Sequence, residues 1–104
     1  MRTLSFSVRG QTIAPAPGSD MSGLICGSVG YLAARFSFDE AWDGCKKAAS
    51  FFDAKEREYA APIIAGECKI PAEALTGRVF YVSVSGAKRG YKIRTNKIII
   101  RQGG

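Results

Sequence analysis

A chain of 104 residues, 46% apolar and 23% charged, is the size of one domain that buries roughly 60–68% of the surface its unfolded form exposes, so nothing in its length demands a disulfide, metal or cofactor. The absence of histidine excludes nucleophilic triads built on it and removes the commonest metal ligand. The net charge of +6 is unevenly spread: all nine acids lie between Asp20 and Glu73, whereas Arg78 to Arg101 carries seven basic residues and no acid.

Leu4, Phe6 and Val8 alternate with polar neighbours at once, which predicts a half-buried strand rather than the unbroken apolar core of a signal peptide, so secretion is not expected. Gly10-Gln11 turns the chain, and the two prolines in Ala14–Asp20 make that segment a loop or an edge. Gly23 to Gly30 reads as a weak strand around Leu24 and Ile25, irregular at Gly27 and Gly30. Tyr31 to Phe38 is a clear strand with Leu32, Ala34, Phe36 and Phe38 on one face.

The only tryptophan, Trp42, follows in an acidic corner closed by Asp43-Gly44. A ring of that size needs a pocket and its indole N–H a partner, so a Trp between two strands reads as a pin between layers. Lys46 to Phe52 is ambiguous in period, but about eight residues between turn signals favour a strand. Glu56 to Ile64, broken by Pro62, reads as a strand placed at an edge or carrying an interruption. Gly66 to Ile70 alternates and stops at Pro71, and Ala72 to Leu75 allows one helical turn. Arg78 to Ser85 places Phe80, Val82 and Val84 on one face. A last strand, Tyr91 to Arg101, carries Ile98-Ile99-Ile100, apolar on both sides as in a central strand, and Gly103-Gly104 reads as a flexible tail or linker stump after a single domain over residues 1–102.

The expected fold is therefore all-β: an antiparallel, Ig-like sandwich of seven or eight short strands. Its expected core is Leu4, Phe6, Leu32, Phe36, Phe38, Trp42, Phe52, Phe80, Val82, Val84 and Ile98.

Signals for chemistry are weak. Cys26, Cys45 and Cys68 are too widely spaced for a zinc site and odd in number, which suits reduced, packed thiols. The carboxylate pairs Asp39/Glu40 and Glu56/Glu58 sit in turn and edge sequences, and neither glycine-rich stretch opens a helix as a phosphate cradle must. No catalytic, cofactor or metal residue is expected, and no segment is apolar enough to insert in a membrane. The candidate binding surface is the basic C-terminal third, Arg78, Tyr81, Lys88, Arg89, Tyr91, Lys92, Arg94 and Lys97. It suits an anionic partner, and its tyrosines with Asn96 would equally suit a sugar.

The order of features resembles the N-terminal β-sandwich module of bacteriophage and prophage baseplate upper proteins and related tail-fibre or virion proteins. The resemblance rests on the early strand Leu4-Phe6-Val8, the Phe36-x-Phe38 strand, the Trp42-Asp43-Gly44 corner and the lysine-led strand ending at Phe51-Phe52. Cys68-x-Ile70-Pro71 leading to Leu75 and Gly77, the Val82-x-Val84 strand and Arg94-Thr95-Asn96 complete it. The stretch Ala14–Gly30 departs from the pattern. The resemblance implies a structural role without catalysis in a virion made in a bacterial cytoplasm, the partners being other virion proteins or further copies of the chain, with Phe36, Phe38, Trp42, Gly44, Phe52 and Pro71 as framework residues. Two other readings stand beside it: a carbohydrate-binding or adhesin-like sandwich recognising a cell-surface glycan, and a nucleic-acid-binding β protein using the basic third.

Overall fold

The computed structural model describes residues 1–104 and holds two facing sheets, with 3-10 turns as its only helical elements. In the first sheet β1 (Arg2–Arg9) buries Leu4, Phe6 and Val8 as the alternation predicts. Gly10, at φ 54°, turns it into β2 (Thr12–Pro15), an edge strand that ends at a proline. On the other side of β1 lies β3 (Leu32–Phe38), parallel to it and in register from Arg2↔Leu32 to Val8↔Phe38.

Parallel neighbours need a crossover of a dozen residues or so, and residues 16–31 supply it. Two expectations are corrected here. The sandwich is not purely antiparallel, and Gly23–Gly30 is no strand: its ladder bonding is one isolated bridge, Ile25 to Gly103, and Gly23, Gly27 and Gly30 have φ of 71°, 91° and 69°, a region extended backbone does not occupy.

The second sheet contains β4 (Lys46–Phe52), β5 (Glu58–Ile63), β7 (Val79–Lys88), β8 (Tyr91–Arg94) and β9 (Ile98–Arg101), in the order β5-β4-β7, with β8 and β9 sharing the far side of β7. β4 is a strand, as its length suggests, but Phe52 is not core. Phe51 is fully buried and pairs with Val82, whereas Phe52 pairs with Tyr81 on the outer face, under the Lys97 ammonium 4.4 Å from its ring centre.

The last strand is neither central nor continuous. It breaks at residues 95–97 and forms an edge, so Ile100 takes the core position expected of Ile98, which is half-buried, while Ile99 is 43% exposed. Thr95 splices the break: its N–H donates to the Val84 carbonyl at 3.0 Å and its Oγ1 accepts from the Val84 N–H at 2.9 Å.

Two joints close the sandwich along its sides. At one, β5 turns through Ala65-Gly66, with φ of 53° and 80°, into β6 (Glu67–Lys69), which pairs with β3 in the first sheet. Positive φ at both central residues is the geometry whose twist suits a two-residue hairpin. At the other, Asn96 reaches across to the β1–β2 hairpin; its Oδ1 accepts from the Ile13 N–H at 2.9 Å and its own N–H donates to the Gln11 carbonyl at 3.1 Å.

Pro71 precedes one of the two 3-10 turns, Ala72–Leu75, which buries Ala74 and Leu75. Gly103, expected in a flexible tail, is held at both polar groups: its N–H donates to Leu24 at 2.6 Å and its carbonyl accepts from Cys26 at 2.8 Å.

Trp42 lies in the other 3-10 turn, Glu40–Trp42, and is wholly buried. Its indole N–H donates to the Gly10 carbonyl at 2.8 Å, and its ring packs on the backbone of Gly86 in β7 and, at 5.2 Å between centroids, on Phe38. Asp39 fixes the turn from the same side, accepting from the Gly10 N–H at 2.9 Å and the Ala41 N–H at 3.3 Å. Gly44, with φ 76°, returns the chain into β4. The corner therefore ties the β1–β2 turn to β7 across the sandwich.

Candidate functional site

The basic third does not form one patch; the fold scatters it. Arg78 is exposed just before β7, at the opposite end of that strand from Arg89, which sits in the exposed β7–β8 turn. Four of the eight expected residues are already engaged in holding the frame. Tyr91 Oη donates to the Ala41 carbonyl at 2.7 Å, and Lys88 Nζ donates to the Asp43 carbonyl at 2.8 Å while lying 4.8 Å from the Tyr91 ring centre. Both clamp the Trp42 corner. Lys97 pairs with Glu56 at 2.7 Å and lies over Phe52 and, at 5.2 Å, over Tyr81, so both rings carry a cation on one face.

Lys92 and Arg94 remain, both exposed and in no ion pair. The ladders place them beside a residue that sequence reading did not single out. Lys46↔Ala87↔Lys92 and Ala48↔Ser85↔Arg94 are two adjacent cross-strand rows on the outer face of β4, β7 and β8. With neighbouring strands about 4.8 Å apart, Lys46 and Lys92 stand about 10 Å apart at their α-carbons with only Ala87 between them. The result is a groove of about 370 Å³ floored by Ala48, Ser85 and Ala87 and bordered by Lys46, Lys92 and Arg94, with no acidic residue in its lining.

Small floor residues let long cationic side chains bend over a ligand instead of over a bulky neighbour. Lys46 had a legible signal in the period of β4, which puts it on the face of Ala48 and Ser50. That β8 lies across β7 from it was not legible.

Three of the four acids of the Asp39/Glu40 and Glu56/Glu58 pairs, and Asp53 beside them, are occupied structurally. Asp39 caps the Trp42 turn, Glu58 accepts from the Ser50 hydroxyl at 2.6 Å and Glu56 holds Lys97. Asp53, buried after β4, accepts from the backbone N–H groups of Arg57 and Lys55, each at 2.9 Å, and from Arg57 Nε at 2.9 Å. The hydrogen bond from the Arg57 backbone, with the others, holds its carboxyl below the usual carboxylate range.

The three cysteines are free, and burial pushes the Cys68 thiol up to about 11. No cluster of three or more Cys, Asp and Glu residues is arranged to hold a metal ion, and no helix is long and apolar enough to cross a membrane.

The fold and this surface define a two-sheet β-sandwich with a rigid corner and a cation-bordered groove on the outer face of its second sheet. Compared with family models, curated proteins and solved structures, the chain matches none.

Proposed function

We propose that the protein is a non-catalytic structural module of a bacteriophage or prophage particle, a baseplate, tail-fibre or other scaffold component that works by protein–protein contact. The observation that carries the reading is where the residues of the resemblance lie. Phe36, Phe38 and Trp42 form one continuous stack with Phe6, with centroid steps of 5.4, 6.2 and 5.2 Å. Asn96 makes the tie between the sheets and Pro71 begins the turn that buries Leu75. Motifs that serve joints rather than a pocket suit a module whose task is to hold a shape.

The two rival readings have less support. A sugar site needs free tyrosine and amide groups, whereas Tyr91 and Asn96 are hydrogen-bonded within the frame. Single-stranded nucleic acid needs open rings for stacking, whereas Lys97 covers one face of Tyr81 and Lys88 one face of Tyr91.

Assembly modules form closed symmetric oligomers or rings. Light scattering coupled to size exclusion should show a trimer or larger closed species; a strict monomer at high concentration contradicts the proposal, as does tight, salt-sensitive gel-shift binding to DNA or RNA.

A further inference from the structure

We propose that the groove between Lys46, Lys92 and Arg94 is a docking site for an acidic polypeptide segment of a partner protein. This deepens the assembly-module reading and rests on it for one point, that the occupant is a polypeptide.

Charge complementarity carries the inference. The three cations come from two strands separated by β7, border one groove, and make no ion pair with any of the nine acids of the chain. Of the other cations nearby, Lys47, in the same lining, is engaged by the Cys45 carbonyl, Lys88 by the Asp43 carbonyl and Lys97 by Glu56, while Arg89 lies outside the lining in the β7–β8 turn.

The floor matters as much as the border. Ala87 lies between Lys46 and Lys92, and Ser85 lies beside Arg94. A carboxylate resting over Ala87 meets ammonium groups from both sides, and a second one farther along the segment meets the Arg94 guanidinium and the Ser85 hydroxyl. Successive outward positions on one strand are about 6.6 Å apart, which is within the spread of carboxylates along an extended acidic chain. The groove's own lining offers no aromatic ring for base stacking, and this favours side-chain carboxylates over a nucleic-acid strand.

The test is fluorescence anisotropy with a labelled decaglutamate peptide, beside a labelled ten-residue oligothymidylate, at about 50 mM salt, where surface charge is weakly screened. Decaglutamate should bind, and the Lys46→Gln/Lys92→Gln/Arg94→Gln variant should weaken it by about tenfold or more, while Arg9→Gln/Lys55→Gln/Lys69→Gln changes it by less than about twofold. The single variants Lys92→Gln and Arg94→Gln, each expected to weaken binding by about two- to fivefold, carry the same reading if the triple variant does not fold.

No binding of decaglutamate, or equal losses in the two triple variants, overturns the site; oligomers seen by light scattering would then leave the assembly reading standing. Tighter binding of the oligothymidylate, lost on changing the same three residues, overturns the polypeptide occupant and the assembly reading together.

Discussion

Trp42 rests directly on Gly86: a β-carbon at position 86 would lie 2.8 Å from two atoms of the indole ring and 3.2 Å from the Cys45 β-carbon. Such an approach is closer than side-chain carbons tolerate, so the glycine in β7 is what lets the corner close over the sheet. Gly86→Ala should destabilise the fold by about 1–3 kcal/mol through overpacking, and Trp42→Ala by about 3–5 kcal/mol through loss of a wholly buried ring. In urea denaturation the two should not add. With the indole gone, the alanine has room, and a double-mutant cycle should return a coupling of about 1–3 kcal/mol.

Asn96 is the second joint. Asn96→Ala removes the acceptor for the Ile13 N–H without disturbing an apolar contact, so the expected loss is about 1–2 kcal/mol. Amide exchange should locate it, with the Ile13 N–H losing protection more than the amides of β4.

Phe51 and Phe52 exchange the places a simple reading of the sequence assigns them. Phe51→Ala should cost about 3–5 kcal/mol, and Phe52→Ala about 1 kcal/mol, since only the first leaves a cavity in the core. Equal losses in denaturant titrations would mean that the register of β4 is wrong.

This pair also shows where sequence reading stops. Single-faced strands such as Leu4-Phe6-Val8 and Phe80-Val82-Val84 were legible because polar neighbours mark the outer face, and so were the buried Trp42 and, as one of two alternatives, the edge position of Pro62. Phe51-Phe52 and Ile98-Ile99-Ile100 are apolar on both parities, so period two cannot choose a face; cross-strand partners chose it, Val82 for Phe51 and Phe80 for Ile100. The parallel β1–β3 pair and the Asn96 tie are non-local, and no local pattern encodes them. The candidate surface was half legible for the same reason: Lys92 and Arg94 stand out in a basic segment, whereas Lys46 joins them only through the β4-β7-β8 order.

Asp53 sets a pH dependence. Its carboxyl is held below the ordinary carboxylate value by the Arg57 and Lys55 hydrogen bonds, so the folded state prefers it ionised. The resulting stabilisation is fully present above the unfolded-state value of about 3.9 and is lost as pH falls through the lower folded value. Thermal melts should show Asp53→Asn less stable than the parent at pH 6, with the difference shrinking as pH falls below about 4.

Cys68 should be sluggish toward alkylation. With its thiol raised to about 11, about one molecule in a thousand carries the thiolate at pH 8. Iodoacetamide labelling read by mass spectrometry should leave Cys68 largely unmodified at pH 8 under native conditions and label it fully in denaturant; rapid native labelling would contradict its half-buried environment.

The central claim is a division of labour: Trp42 holds the frame, and recognition belongs to the outer face around Lys46, Lys92 and Arg94. Amide and indole chemical-shift mapping during a decaglutamate titration tests it most directly. Lys46, Ser85, Ala87, Lys92 and Arg94 should shift together while the Trp42 indole N–H stays in place, and movement of that indole signal with a silent Lys46–Arg94 face would contradict the account.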